Sequence, residues 1–150
     1  MAAYARIAVA RSGAGFTVSS NAATLAAIAT FAAMAGGAGG TVTHFGLGTD
    51  VSGAGNLICF GTVTPNLAVV AGVTPKLDTG TTITQAASDG MTTAAANALL
   101  LLLLNNTDWA NIGDAGGLQN SAAAGSLYLS LHTASPGEGG GQATNEIAYS

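Results

Sequence analysis

The stretch from Thr92 to Asn106, TTAAANALLLLLLNN, constrains this chain more than any other. Alanine and leucine head the helix propensities, and Ala94 to Ala96 with Leu99 to Leu104 make up most of the segment. Thr92 and Thr93 are placed to cap the amino end, where a hydroxyl oxygen accepts N–H groups that have no partner in the first turn. Asn105 and Asn106 are placed to close the other end. A helix that is apolar all round has no wet face, so sheets or neighbouring subunits have to cover it. The apolar run is about 11 residues long and is broken by Asn97, whereas a bilayer needs about 20. It predicts a buried core helix and not a membrane span. Leu99, Leu100, Leu103 and Leu104 are therefore expected in the core or at an assembly contact.

The rest of the composition sharpens this expectation. Charged residues make up 7% of the chain, against about 25% in an ordinary soluble protein. Mean hydropathy is +0.47, yet no membrane-length segment accounts for it. Coverage of the surface by copies of the same chain or by a larger assembly resolves the two facts, and a bland exterior of Gly, Ala, Thr and Ser is the alternative. The length of 150 residues suits one domain. With a net charge of −4 and only Arg6, Arg11 and Lys76 positive, the chain lacks the clustered cations that bind nucleic acid or an anionic membrane. Cys59 is the lone cysteine, so no intrachain disulfide forms, and its setting in LICF reads as a small buried hydrophobe. Met1 to Ala10 carries an arginine inside an alternating pattern and does not read as a signal peptide.

Elsewhere short alternating runs predict strands. In Tyr4 to Arg11 the residues Ala5, Ile7 and Val9 face one way, and Arg6, Ala8 and Ala10 the other. Phe16 to Ser19, Asn21 to Ala35 (whose alanines favour helix while Thr24, Ile28, Thr30 and Phe31 alternate as a strand does, and whose neighbours on both sides are strands), Thr41 to Thr49, Asn56 to Thr64 (ended by Pro65), Leu67 to Val70, Val73 to Leu77 and Thr81 to Gln85 continue the series. The cleanest alternation is Leu127 to Thr133, with Leu127, Leu129 and Leu131 inward and Tyr128, Ser130 and His132 outward. Ala134 to Thr144, ASPGEGGGQAT, has the composition of a mobile loop, and Glu146 to Tyr149 starts a last strand. Trp109 and Ile112 are expected to fold back over the helix end. Seven to nine short strands and one buried Leu-rich helix imply a mainly β chain: an antiparallel β-sandwich or jelly-roll-like barrel.

No catalytic constellation is found. A Gly-x-Ser-x-Gly elbow is absent. His44 and His132 have no acidic residue at ligand spacing, and only their meeting in space near Asp50 would make a weak metal site. The Gly-rich pieces lack the Lys-Ser/Thr of a phosphate-binding loop, and Glu138 and Glu146 flank a loop with no partner in view. The residue pattern thus predicts no enzyme, no cofactor and no metal. The side chains best suited to touch a ligand are Trp109, Tyr128 and Tyr4, with the loop Pro136 to Gln142.

Starting at Met91, the order becomes the helix, then LYLSLHTASPGE (Leu127 to Glu138), TNE (Thr144 to Glu146), YAR (Tyr4 to Arg6) and TVTHFG (Thr41 to Gly46). Taken in this cyclic order, the chain resembles small bacteriophage virion proteins of the tail fibre-like or minor structural class. The likeness covers nearly the whole chain but in rotated order, residues 91–150 matching the family's first part and 1–90 its second. It implies a circular permutant, an engineered one, which requires that Met1 lie near Ser150 and that Gly90 run into Met91 without a break; a natural chain with an incidental Met91 is the alternative. It also implies a non-enzymatic virion subunit, tail-associated or capsid-decorating, whose partners are copies of itself and other virion proteins. Homotrimers are common in that class. A receptor- or carbohydrate-binding tip is the alternative.

Overall fold

The computed structural model describes residues 3–86, 90–113 and 116–149. It is mainly β. The elements in order are β1 (Ile7–Ala10), β2 (Phe16–Ser19), β3 (Ala22–Leu25), β4 (Ala29–Thr30), β5 (Gly40–Gly48), β6 (Leu57–Val69), β7 (Lys76–Leu77), β8 (Thr82–Thr84), α1 (Thr93–Asn105) and β9 (Ser126–His132). They fall into two compact units. One is built from residues up to Val9, Ile28–Asp78 and the chain from Leu127 on, the other from Ala10–Ala27 and Thr79–Ser126.

The first unit is organised on a four-stranded sheet in the order β1-β9-β5-β6, with a two-stranded sheet of β4 and β7. β5 runs antiparallel to both neighbours, and the register sets Leu47 opposite Leu129 and Cys59, and Phe45 opposite Leu131 and Gly61. Directly opposed residues share a face, so these side chains form one apolar layer. Phe45, Leu47, Leu129 and Leu131 are all buried, as are Phe31, Met34, Val69 and Leu77 of the same unit. Gly61 is needed where it stands, because a Cβ there would come 2.7 Å from the Phe45 ring.

Leu127, Leu129 and Leu131 face inward as their spacing predicts, but Ser130 and His132 are also fully buried. The expectation of a wet second face fails because β9 lies inside the sheet and residues 142–144 cross its other side. Gln142 fills the space beside Gly48, and the Thr144 carbonyl bonds the His132 ring. Pro65 does not end β6. The ladder passes from His44↔Thr62 to Val42↔Leu67, so Pro65 sits in an irregularity where no ladder hydrogen bond is asked of it, on a strand at the sheet edge. The Ala134 to Thr144 loop, mobile by composition, is tied down: Asn145 Nδ2 donates to Ser135 O, Gln142 N to Gly55 O, and Gln142 is fully buried. Glu146 to Tyr149 makes only a single bridge, His132↔Glu146, and no full strand.

The second unit sets α1 against β2 and β3 of the three-stranded sheet β2-β3-β8. Thr92 caps the helix, its Oγ1 accepting from Ala95 N at 3.2 Å, and Asn106 closes it in the left-handed region at φ 52°. The last turn contains no basic residue, and Arg11 supplies one from far away in sequence. Its Nε donates to Leu103 O at 2.8 Å and its Nη2 to Leu102 O at 2.9 Å, satisfying carbonyls that have no partner within the helix. Trp109 pairs through its backbone with Leu118, and the chain beyond the helix is held by Asn106, whose side-chain amide exchanges hydrogen bonds with Ser121.

Ala96, Leu100 and Leu104, one stripe at i, i+4 and i+8, are buried along with Phe16, Ala23 and Leu25. The other leucines are not enclosed by the chain. Leu99, Leu101 and Leu102 are half-buried, and Leu103 is 37% exposed. The expectation of a helix covered on every side is therefore not met within one chain, because a sheet of three short strands reaches only one side of it. Leu100→Ala is expected to lower the unfolding free energy by about 3 kcal/mol in urea titrations, and Leu103→Ala by less than about 1 kcal/mol. Equal losses would show that the two leucines are equally enclosed.

Candidate functional site

The densest polar arrangement in the first unit is centred on Arg6, immediately before β1. Its alternation places it on the outer face, yet it is only 6% exposed. Its fork meets Glu146 in two parallel bonds, Nε to Oε1 and Nη2 to Oε2, both 2.7 Å. The remaining donors turn the other way, Nη1 to Asp50 O at 2.9 Å and Nη2 to Gly53 O at 2.7 Å. Glu146, which has no partner in view along the sequence, is thus paired with the residue best shaped to take a carboxylate. Tyr4 completes the group, its hydroxyl donating to Glu146 Oε1 and accepting from Leu131 N, each at 2.9 Å.

Gln142 grips the same turn from the other side. Its Oε1 accepts from Asp50 N at 2.9 Å and its Nε2 donates to Asp50 O at 3.2 Å. A Cβ on Gly48 or Gly55 would collide with this side chain, so both glycines are dictated by it. The connection from β5 to β6 is therefore fixed by two polar side chains from distant parts of the chain. A recess of about 300 Å³ opens beside it, lined in part by Tyr4, Arg6, Ser52 and Glu146.

The electrostatics fit a clasp. Hydrogen bonding to Glu146 raises the Arg6 pKa above its ordinary value, and burial with the Glu146 charge raises that of Tyr4. Both stay protonated and donating at any physiological pH. The Glu146 carboxylate is thus held by an arginine fork and a phenol at once.

The histidines do come together. His44 and His132 are directly opposed on β5 and β9. His132 Nδ1 lies 2.8 Å from Thr144 O, and a carbonyl only accepts, so Nδ1 carries the proton and Nε2 accepts from Ser130 Oγ at 2.8 Å. Burial holds the His132 pKa below the usual histidine value. The pair has the bonding of a serine–histidine dyad, but Ser130 and His132 expose no surface through which a substrate could reach them. His44 Nδ1 is bonded to Thr43 Oγ1 at 2.8 Å. Among the described residues no group of three His, Cys, Asp or Glu is arranged to hold a metal. Burial pushes the Cys59 thiol up to about 12, leaving it a poor nucleophile.

Of the side chains suited to a ligand, Tyr4 is engaged at both ends. Its ring stacks on Phe31 at 6.2 Å and meets Tyr149 edge-on at 5.4 Å, while its hydroxyl is committed to Glu146 and Leu131. Tyr128 is half-buried opposite Gly48 in the first unit. Trp109 is half-buried in the second, where Gly117 at φ 70° lets the backbone pass so close that a Cβ would lie 2.2 Å from Trp109 O. Among the leucines, Leu100, Leu104, Leu127, Leu129 and Leu131 are interior, Leu99 is half-buried, and Leu103 faces out. Sequence reasoning misses Arg6, Arg11, Gln142 and Glu146. The scarcity of charge is the one signal that could have found the two arginines and Glu146, since so few ions invite the question of what each one holds, and nothing in the sequence marks Gln142.

Arg6→Met is expected to lower the unfolding free energy by about 3–5 kcal/mol, because it strands the Glu146 carboxylate. Combining it with Glu146→Gln should cost less than the sum of the single changes in a double-mutant cycle read by chemical denaturation. Additive losses, or a single loss below about 1 kcal/mol, would mark the pair as no more than a surface contact.

Comparison with known proteins adds one match. The family model described as "Podophage GP4 fiber I protein gp80" matches residues 1–85, more than half of the chain. No curated protein and no solved structure matches.

Proposed function

Since the chain belongs to the podophage GP4 fibre I protein gp80 family, we propose that it is a non-enzymatic structural subunit of the virion that works by assembling with copies of itself. The family places it in the virion as a phage fibre-like protein. The observation that carries self-assembly is the uncharged leucine helix left half-covered by its own chain, with Leu103 at 37% exposure and Leu99, Leu101 and Leu102 only partly enclosed. A second copy or another virion protein would remove that surface from water, and about 25 cal/mol per Å² of apolar area favours the contact. Three copies, or a multiple of three, is the number that the resemblance to virion proteins favours. Native mass measurement is expected to give a multimer, and Leu103→Asp a smaller particle with an unchanged circular dichroism spectrum. A monomeric mass for the wild-type chain at micromolar concentration overturns the proposal.

The rotated order has a separate footing. Met1 and Ser150 lie outside the described residues, but Tyr4 N donates to Tyr149 O at 3.0 Å, so the two ends of the described chain meet. The family match runs unbroken over residues 1–85 and needs no rotation. A chain begun at Met91, with residue 150 linked to residue 1, is expected to fold with the same circular dichroism and a similar melting temperature. A permuted chain that stays unfolded removes the rotated reading.

A further inference from the structure

Residues 142–146 lie over β9 without joining its sheet, and His132 is the side chain that ties the two together. Its Nδ1 donates to Thr144 O and its Nε2 accepts from Ser130 Oγ, both at 2.8 Å. The backbone adds to the tie, Thr133 N donating to Asn145 O and Ile147 N to Leu131 O. His132 and Ser130 are fully buried, and the space around them is closed: a Cβ on Gly46 would come 2.6 Å from Nε2 and 2.7 Å from Oγ. A neutral ring with one donor and one acceptor fits this place, because each nitrogen has its complement. A charged ring does not. Its second N–H would meet the proton of the Ser130 hydroxyl, which would have to turn away, and neither side chain is open to water. The surrounding charges do not compensate. His44 on β5 is directly opposite, and Arg6 and Glu146 act on the ring with opposite signs from within one ion pair. Tyr4, whose hydroxyl accepts from Leu131 N, stays neutral.

We propose that His132 is a proton-operated latch: a proton taken up on its Nε2 at mildly acid pH releases residues 142–146 from β9, and with them the Asp50–Gly55 turn. The second release follows from what that segment carries. Gln142 holds Asp50 through two bonds, and Glu146 holds Arg6, which in turn holds Asp50 O and Gly53 O. Once the segment opens, His132 is in water and titrates near the ordinary histidine value of about 6.5. In the closed form its pKa lies lower, so closure keeps its full stability above about pH 6.5 and loses it as pH falls below that value. The opening equilibrium then rises by up to about tenfold for each pH unit. The latch lies within one chain and stands whether or not copies assemble.

Backbone amide exchange of the full chain, followed by NMR at pH 7 and pH 5 and corrected for the intrinsic rate at each pH, reads the latch directly. Protection of the Asp50, Gln142 and Ile147 amides is expected to fall at least about tenfold at pH 5, while that of the β3 amides in the second unit stays within about twofold. His132→Gln, which has no ring to protonate, is expected to remove this pH response, and His44→Gln to leave it in place. Should the His132→Gln chain not fold, the wild-type ring resonances decide, since His132 is expected to titrate together with the loss of Asp50 protection. Unchanged protection at pH 5, or equal losses in β3 and in residues 142–147, overturns the latch. So does a response that survives His132→Gln or disappears with His44→Gln, or a His132 ring that titrates while the Asp50 amide stays protected.

Discussion

The buried guanidinium of Arg6 binds together three stretches of chain that local forces leave apart: residues 4–6, the Asp50–Gly55 turn, and residues 142–146. Ion pairs removed from water contribute little net stability, since desolvation offsets most of the attraction. Their effect is on alternatives. A turn of Asp, Val, Ser and Gly has many conformations of similar energy, and one guanidinium that needs two particular carbonyls selects among them. Glu146 is fixed by the same fork, and it leads into the segment whose Ile147 N bonds Leu131 O on β9. Sheet register and loop conformation in this unit therefore depend on one side chain.

The use of charge follows the same logic throughout. Arg6 and Arg11 both have their guanidiniums engaged with backbone carbonyls of their own chain. Lys76, on β7, is the remaining cation. Two of the three cations are thus spent on holding the chain's own backbone. Its exposed apolar side chains include Leu103 on α1 and Ile58 and Phe60 on β6. Surfaces like these meet each other with little electrostatic penalty and little orientation at long range. Specificity in such an assembly has to come from shape and backbone hydrogen bonding.

Much of this was legible from neighbouring residues. The α1 boundaries and the Thr92 and Asn106 caps follow from propensity and end chemistry, and β2, β5 and β9 from alternation. These signals are local, and a few residues carry each of them. The misreadings have the opposite character. Alternation puts Ser130 and His132 in water because it reports one buried face, and it has no way of registering a second layer laid over the strand by residues 142–144. Pro65 reads as a stop because a proline in a central strand is one, and only the sheet order shows that β6 is at the edge. The Arg6–Glu146 pair joins residues at opposite ends of the sequence, where no periodicity links them. The half-covered helix reflects a property of its neighbour, the width of a three-stranded sheet, that the leucines themselves do not encode.

Arg11 gives the second unit a tie of long range. The carbonyls it holds, on Leu102 and Leu103, lie more than ninety residues along the chain. Forming such a contact closes a long loop, whose entropic cost helix propensity does nothing to offset. The most helix-prone segment of the protein thus has its final carbonyls satisfied by an arginine that its own sequence does not contain.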